Sequence, residues 1–372
     1  MKLSGNQRKL YLLSAVLLAL TFVLLGAWKL LLKPASYDQT PETVTMPALD
    51  VEATAMPTPA ASSATVQGDA VLPSDRTVDT VVYYQDNYGY LVPVMRSVPE
   101  EEGIAKATLS LMVQSAYNDM EAARLGLRTV MPEGTQMELD ITQSGEARID
   151  LSKEVLGLAD AEAESIMVSA IVQTLTEFPT VDSVSFLIDG QERETLTHGT
   201  PISGKFTRGA LNLESAPASL TPDVASTVSL YFPGESSSLI VPVTRMVYGP
   251  ADISTAVLEL TKGPSTSSPL DGALPSGCGL IGVTVSDGEA VINFTREFIN
   301  IAENSDGGRA ALKALVLTCT QFDDVDSVRI LVEGEPYDPG ASTLAVPTFI
   351  NDASSLAEEY VRTQTAALLE ME

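Results

Sequence analysis

Few residues in this chain could carry chemistry, and their spacing argues against most of it. A nucleophilic centre needs a base beside the attacking atom. The only histidine is His198, in a polar loop where an exposed side chain is the expectation. One histidine and two cysteines, Cys278 and Cys319, offer no paired-ligand spacing, so neither zinc nor iron is expected. Gly277-Cys278-Gly279-Leu280-Ile281-Gly282 fits the G-x-G-x-x-G pattern. A dinucleotide fingerprint follows a strand and opens a helix, whereas these glycines precede Val283-Thr284-Val285 and a hairpin. No cofactor is therefore expected. Carboxylates are abundant enough that number alone does not exclude paired-acid hydrolysis. The chain holds 49 Asp and Glu against 22 Lys and Arg, a net charge of −27. Such acidity repels nucleic acid and anionic lipid, and it serves solubility.

The elements that must position these residues are written twice. Val92-Pro93-Val94-Met95-Arg96 returns as Val241-Pro242-Val243-Thr244-Arg245, and Met131-Pro132-Glu133-Gly134 as Leu274-Pro275-Ser276-Gly277. Gly145-Glu146-Ala147 returns as Gly288-Glu289-Ala290, and Val181-Asp182-Ser183-Val184 as Val325-Asp326-Ser327-Val328. The offset drifts only from 149 to 143 to 144. A repeat unit of about 125 residues is the size of a domain, not of a solenoid repeat. The recurring acids, Asp182 with Asp326 and Glu154 with Glu297, recur as structural groups do. His198 has no counterpart. Cys319 aligns with Leu175 on an apolar helix face and reads as a core thiol. Cys278 aligns with Thr135, and sequence leaves the pairing of the two cysteines open.

Each unit opens with two strands, Val81–Tyr84 then Tyr90–Val94, or Val228–Phe232 then Leu239–Val243. Proline lacks a ladder donor, so Pro93 and Pro242 mark an edge strand or a bulge. Ile104, Ala107 and Leu111 match Ile253, Ala256 and Leu260 as one helical stripe. Lys262-Gly263-Pro264 stops the second copy's helix, and the first copy instead continues with a polar stretch, Gln114–Arg128. A hairpin follows, turning at Asp287-Gly288 or Ser144-Gly145. The next helix buries Met167, Ile171, Leu175 and Phe178, or Ala311, Leu315, Cys319 and Phe322. A last strand, Ser183–Ile188 or Ser327–Val332, completes the order. The class is α+β: two tandem small domains, each a mixed sheet with two helices on one face. Arg96 and Arg245 follow the edge strand. A surface ion pair accounts for them most simply. The functional alternative is an interface, since an edge strand can pair with another chain.

Leu10–Trp28 is a run of 19 uncharged, mostly apolar residues that Leu30–Leu32 extend. Such a length nearly crosses a bilayer. Lys2, Arg8 and Lys9 precede it, which keeps 1–9 cytoplasmic and places the rest outside. The expected organisation is an anchor at 10–32, a Pro/Ala/Thr-rich disordered tether at 33–78 and domains at 79–206 and 226–350. A linker at 207–225 joins the domains, and an amphipathic helix at 351–372 ends the chain, with Ser355 and Glu358 as its capping box.

The second copy resembles a GerMN domain in Leu230-Tyr231-Phe232, Leu239–Arg245, Lys262-Gly263-Pro264, Leu274-Pro275, Asp287-Gly288 and Val325–Val328. The first copy is similar but lacks the Lys-Gly-Pro signature. The resemblance implies tandem domains like ring-building motifs. It also implies a non-enzymatic sporulation and germination role at the channel joining mother cell and forespore. Partners would be envelope or channel proteins with ring-building domains, and a homo-oligomer is compatible. The familiar member is a lipoprotein, whereas Trp28 stands where the lipidated cysteine would be. The expected function is a membrane-anchored envelope scaffold, with Pro93, Arg96, Pro242, Arg245, Lys262, Gly263 and Pro264 as candidate interface residues. The alternative is an extracytoplasmic module that binds peptidoglycan or a peptide.

Overall fold

The computed structural model describes residues 76–100, 103–214, 225–234, 239–301, 306–337 and 344–354. The anchor expected at 10–32, the tether expected up to residue 75 and the helix expected beyond residue 354 fall outside the described residues. Among the described residues, no helix is long and apolar enough to cross a membrane.

The first copy begins with an antiparallel hairpin of β1 (Thr77–Gln85) and β2 (Leu91–Pro99), with Tyr83 opposite Pro93. Helices α1 (Ile104–Ser110) and α2 (Ala116–Ala123) follow. Next come β3 (Met137–Ile141), β4 (Glu146–Leu151), α3 (Ala161–Leu175) and β5 (Ser183–Ile188). β3 pairs β4 antiparallel and β4 pairs β5 parallel. The second copy repeats the plan. Its hairpin is β6 (Ala225–Pro233) with β7 (Ile240–Tyr248), followed by α4 (Ile253–Thr261). β8 (Leu280–Ser286), β9 (Glu289–Phe294), α5 (Asp306–Cys319) and β10 (Ser327–Val332) complete it. Two short strands, β11 (Glu335–Pro336) and β12 (Leu344–Ala345), also pair with β10.

The expected mixed sheet is present in each copy, but the leading hairpin stands apart from it as a two-stranded ribbon. The long helix explains the separation. The Thr174 hydroxyl of α3 accepts from the Tyr83 N–H at 3.2 Å, and Thr318 of α5 accepts from Tyr231 at 3.3 Å. In the second copy Gln321 adds bonds to both the N–H and the carbonyl of Ser229. Helix side chains thus occupy the edge of β1 and β6 that a further strand would need. Most of the predicted stripes of the long helices are buried: Met167, Ile171 and Leu175 in α3, and Ala311, Leu315 and Cys319 in α5, with Phe178 and Phe322 half-buried beyond the helix ends. In and just after α1 the expected Ile104, Ala107 and Leu111 are only half-buried, and Ala105, Thr108, Leu109 and Met112 face the core instead. Each large apolar side chain so removed from water contributes about 2 kcal/mol. Asp160 caps α3 by accepting from the Ala163 N–H, and Asp252 caps α4 through Thr255.

The polar stretch Gln114–Arg128 holds a helix that periodicity did not announce. α2 is capped by Ser115, which accepts from the Asn118 N–H, and it buries only Ala122. An exposed helix needs no apolar stripe, so a cap was its sole local signal. The recurring Asp182 and Asp326 occupy matched turns at the strand entries. Asp326 and Ser327 donate their N–H groups to the Gly288 carbonyl at 2.7 and 3.1 Å, as Asp182 and Ser183 do to Gly145. A Cβ at Gly288 would meet the Asp326 carboxylate at 2.5 Å, and its φ of 77° favours glycine.

Candidate interaction site at the seam between the copies

Pro93 and Pro242 are buried in the middle of β2 and β7. Each of these strands pairs with one neighbour only, so the proline leaves a gap on an outer edge, where a missing donor is tolerated. The two outer edges meet each other within this chain. No main-chain ladder joins them. Two asparagine side chains do so instead. Asn212 donates to the carbonyls of Leu91 and Pro242, at 2.8 and 2.7 Å, and accepts from the Leu91 N–H. Asn351 donates to the carbonyls of Ile240 and Pro93, at 2.8 and 2.9 Å, and accepts from the Ile240 N–H. Exchanging the copies turns one set of bonds into the other. Only a primary amide fits, because two facing carbonyls need two donors while the N–H needs an acceptor.

The chain after each domain is what carries these asparagines, and each tail also caps a hairpin. The Met95 N–H of β2 donates to the Asn351 carbonyl at 2.7 Å, and the Thr244 N–H of β7 donates to Leu211 at 2.9 Å. Asn212 adopts a φ of 50°, a left-handed conformation that asparagine tolerates. The Tyr90 hydroxyl and Ser268, 3.0 Å apart, add a contact from one copy to the other.

Arg245 fastens the first tail to the second domain. Its guanidinium forms a two-pronged pair with Glu214, at 2.6 and 3.0 Å. It also donates to the carbonyls of Glu259 and Gly263 and to the Glu259 carboxylate. Burial alone would lower its pKa, but the Glu214 and Glu259 carboxylates raise it above the ordinary arginine value. This is no surface pair: the Arg245 side chain is 13 % exposed. Gly263, with a φ of 76°, ends α4 and presents the carbonyl that Arg245 takes. Pro264 prevents the helix from continuing past it. Lys262 makes an exposed pair with Glu259. Arg96, the matched arginine, is also 13 % exposed and so no surface residue either, but its ion pair is with Glu121 of α2 alone among the described carboxylates, at 3.4 Å. Where the first copy lacks Lys-Gly-Pro, its arginine also lacks the matching partners.

A family model described as sporulation and spore germination, the Germane family, matches residues 81–194 and again 229–338. The chain belongs to the Germane family. The spore germination protein GerM of Bacillus subtilis (strain 168) is 32% identical to this Germane chain over 267 residues, 70% of the chain and 72% of the relative. The solved tandem GerMN domains of the sporulation protein GerM from Bacillus subtilis superpose with a TM-score of 0.63 at 29% identity. That match covers 74% of this chain and 99% of the other.

Other residues of chemical interest in this Germane chain hold structural posts. His198 is exposed, with its ring Nε2 2.8 Å from the Leu158 carbonyl. Its N–H donates to the buried Glu164 carboxylate at 2.7 Å, which also takes the Thr200 N–H. Burial works to raise the Glu164 pKa, but these donors outweigh it and leave the pKa lowered. Cys278 and Cys319 are buried free thiols. Burial, with Glu297 nearby, pushes Cys278 up to about 11, and burial pushes Cys319 higher still. Among the described residues no three His, Cys, Asp or Glu are grouped to hold a metal. Asn212 and Asn351 were not among the candidates read from sequence. Their signal lies in Leu211-Asn212 and Ile350-Asn351, a matched pair just past the apparent ends of the repeats.

Proposed function

We propose that this Germane chain is a non-enzymatic envelope scaffold that supports assembly of the mother cell–forespore channel or ring during sporulation. A single-pass anchor at 10–32 would hold both domains outside the membrane. The reading rests on the seam: residues matched between the copies are used to make one two-domain body. On this reading Pro93, Pro242 and Arg245, with the Gly263-Pro264 stop that shapes the arginine's site, serve recruitment by fixing the arrangement of the domains, whereas Arg96 and Lys262 act within their own copies. The partner, a protein with ring-building domains, would touch other surfaces.

The test is a fluorescent fusion expressed in Bacillus subtilis lacking its own GerM. The expected result is enrichment at the engulfing septal membrane and recovery of germinating spores. The Asn351→Asp variant should stay in the membrane fraction and fail to rescue. Uniform envelope signal without rescue by the parent chain would overturn the sporulation role. Capture of the chain by purified peptidoglycan would move the function to ligand binding.

A further inference from the structure

With the hairpin edges of β2 and β7 taken up by the seam, the mixed sheets still end in two matched edge strands, β3 and β8. They differ sharply. β3 exposes Glu138 and Asp140, and inward or edge charges of this kind guard a strand against pairing. In register these positions correspond to Gly282 and Thr284 of β8, since Glu138 faces Asp150 as Gly282 faces Asn293. The seven residues of β8 carry no charge. Ile281, at a register shift, is 50% exposed, and Val283 and Val285 are only partly buried. Among the described residues, no segment pairs with the outer edge of β8.

We propose that β8 accepts an added strand from a partner protein whose segment is uncharged along its length and basic at its ends. Strand addition would satisfy the open main-chain groups and cover Val283 and Val285. The charge follows from the surroundings. Asp287 is exposed at one end of β8, and Glu297 lies against Gly277 ahead of the other end, with Arg296 next to it. Residues 226–350 hold 15 acids against 6 bases, in a chain of net charge −27. A second copy would bring the same excess of acid to the contact. So would the chain's own segment beyond residue 354, where Glu358, Glu359, Glu370 and Glu372 outnumber Arg362. This partner chemistry rests on the scaffold reading, but its test is independent of sporulation.

The full chain in detergent micelles would be titrated with a fluorescent peptide of alternating valine and threonine, about eight residues long, closed by lysine at each end. A peptide of the same core closed by glutamate is the control. The lysine peptide should bind at least about tenfold more tightly at low salt, and less so as salt rises. Thr284→Asp, which copies Asp140 of β3, should weaken it about tenfold with unchanged thermal melting. Equal binding of both peptides, or undiminished binding to Thr284→Asp, would overturn the proposal. So would self-association that Thr284→Asp dissolves, since β8 would then be occupied by a second copy. Failed rescue in spores would leave this binding result untouched.

Discussion

Two arginines in matched positions of the two copies have come to different ends. Arg245 meets Glu214, Glu259 and the Gly263 carbonyl in a largely buried cluster. Arg96, whose side chain is as enclosed as that of Arg245, has Glu121 as its ion-pair partner, on a helix that the second copy lacks. The same strand and the same side chain thus have different value, decided by where the next helix stops. A repeated motif fixes a location in the fold, and the unrepeated residues around it fix the energy.

The seam gives the hardest test of that view. Asn351→Asp would set a carboxylate against the carbonyls of Pro93 and Ile240 at a site 2% exposed. It should lower stability by about 4 kcal/mol in urea unfolding. Asn212→Asp, at a half-buried position, should lose about half of that. Equal losses would mean that burial does not separate the two locks. Arg245→Ala should cost about 3 kcal/mol by leaving Glu214 without its partner, against about 1 kcal/mol for Arg96→Ala. Parity of the two would break the comparison.

Glu164→Gln should cost about 2 kcal/mol at pH 7, because hydrogen bonds to a charged acceptor are lost. The sign of its pH dependence is fixed by a lowered folded-state pKa. The stabilisation is complete above the ordinary glutamate value near 4.5 and disappears as pH falls through the lower folded value. Melting curves of the parent and Glu164→Gln should therefore converge in acid. Lys262→Ala should change stability by less than about 0.5 kcal/mol, since the lysine end of its pair with Glu259 is exposed and Arg245 keeps Glu259 partnered. A larger loss would show that the lysine of Lys-Gly-Pro matters beyond the stop.

Much of this was legible in the sequence. The duplicated order of strands and helices, the buried stripes of α3 and α5, the Asp287-Gly288 turn and the helix stop at Gly263 all follow from local rules, whereas the expected stripe of the short α1 lies one position off the buried face. Pro93 and Pro242 announced an open edge. What faces that edge was not legible, because Asn351 lies 258 residues from Pro93 and no periodic pattern connects them. The separate hairpin escaped for a related reason. Strand patterning shows that β1 exists, but a threonine hydroxyl on a distant helix decides which strands join it.

The position of Asn351 also sets a timetable. A chain made from its amino terminus finishes the first hairpin long before the residue that closes its outer edge has been synthesised. During that interval the edge of β2 is open to a nascent neighbour. Pro93 interrupts the row of donors there, so the delay carries a built-in brake on mispairing. Arrival of Asn351 should then be the step that closes the seam, giving a late kinetic phase that Asn351→Ala would weaken.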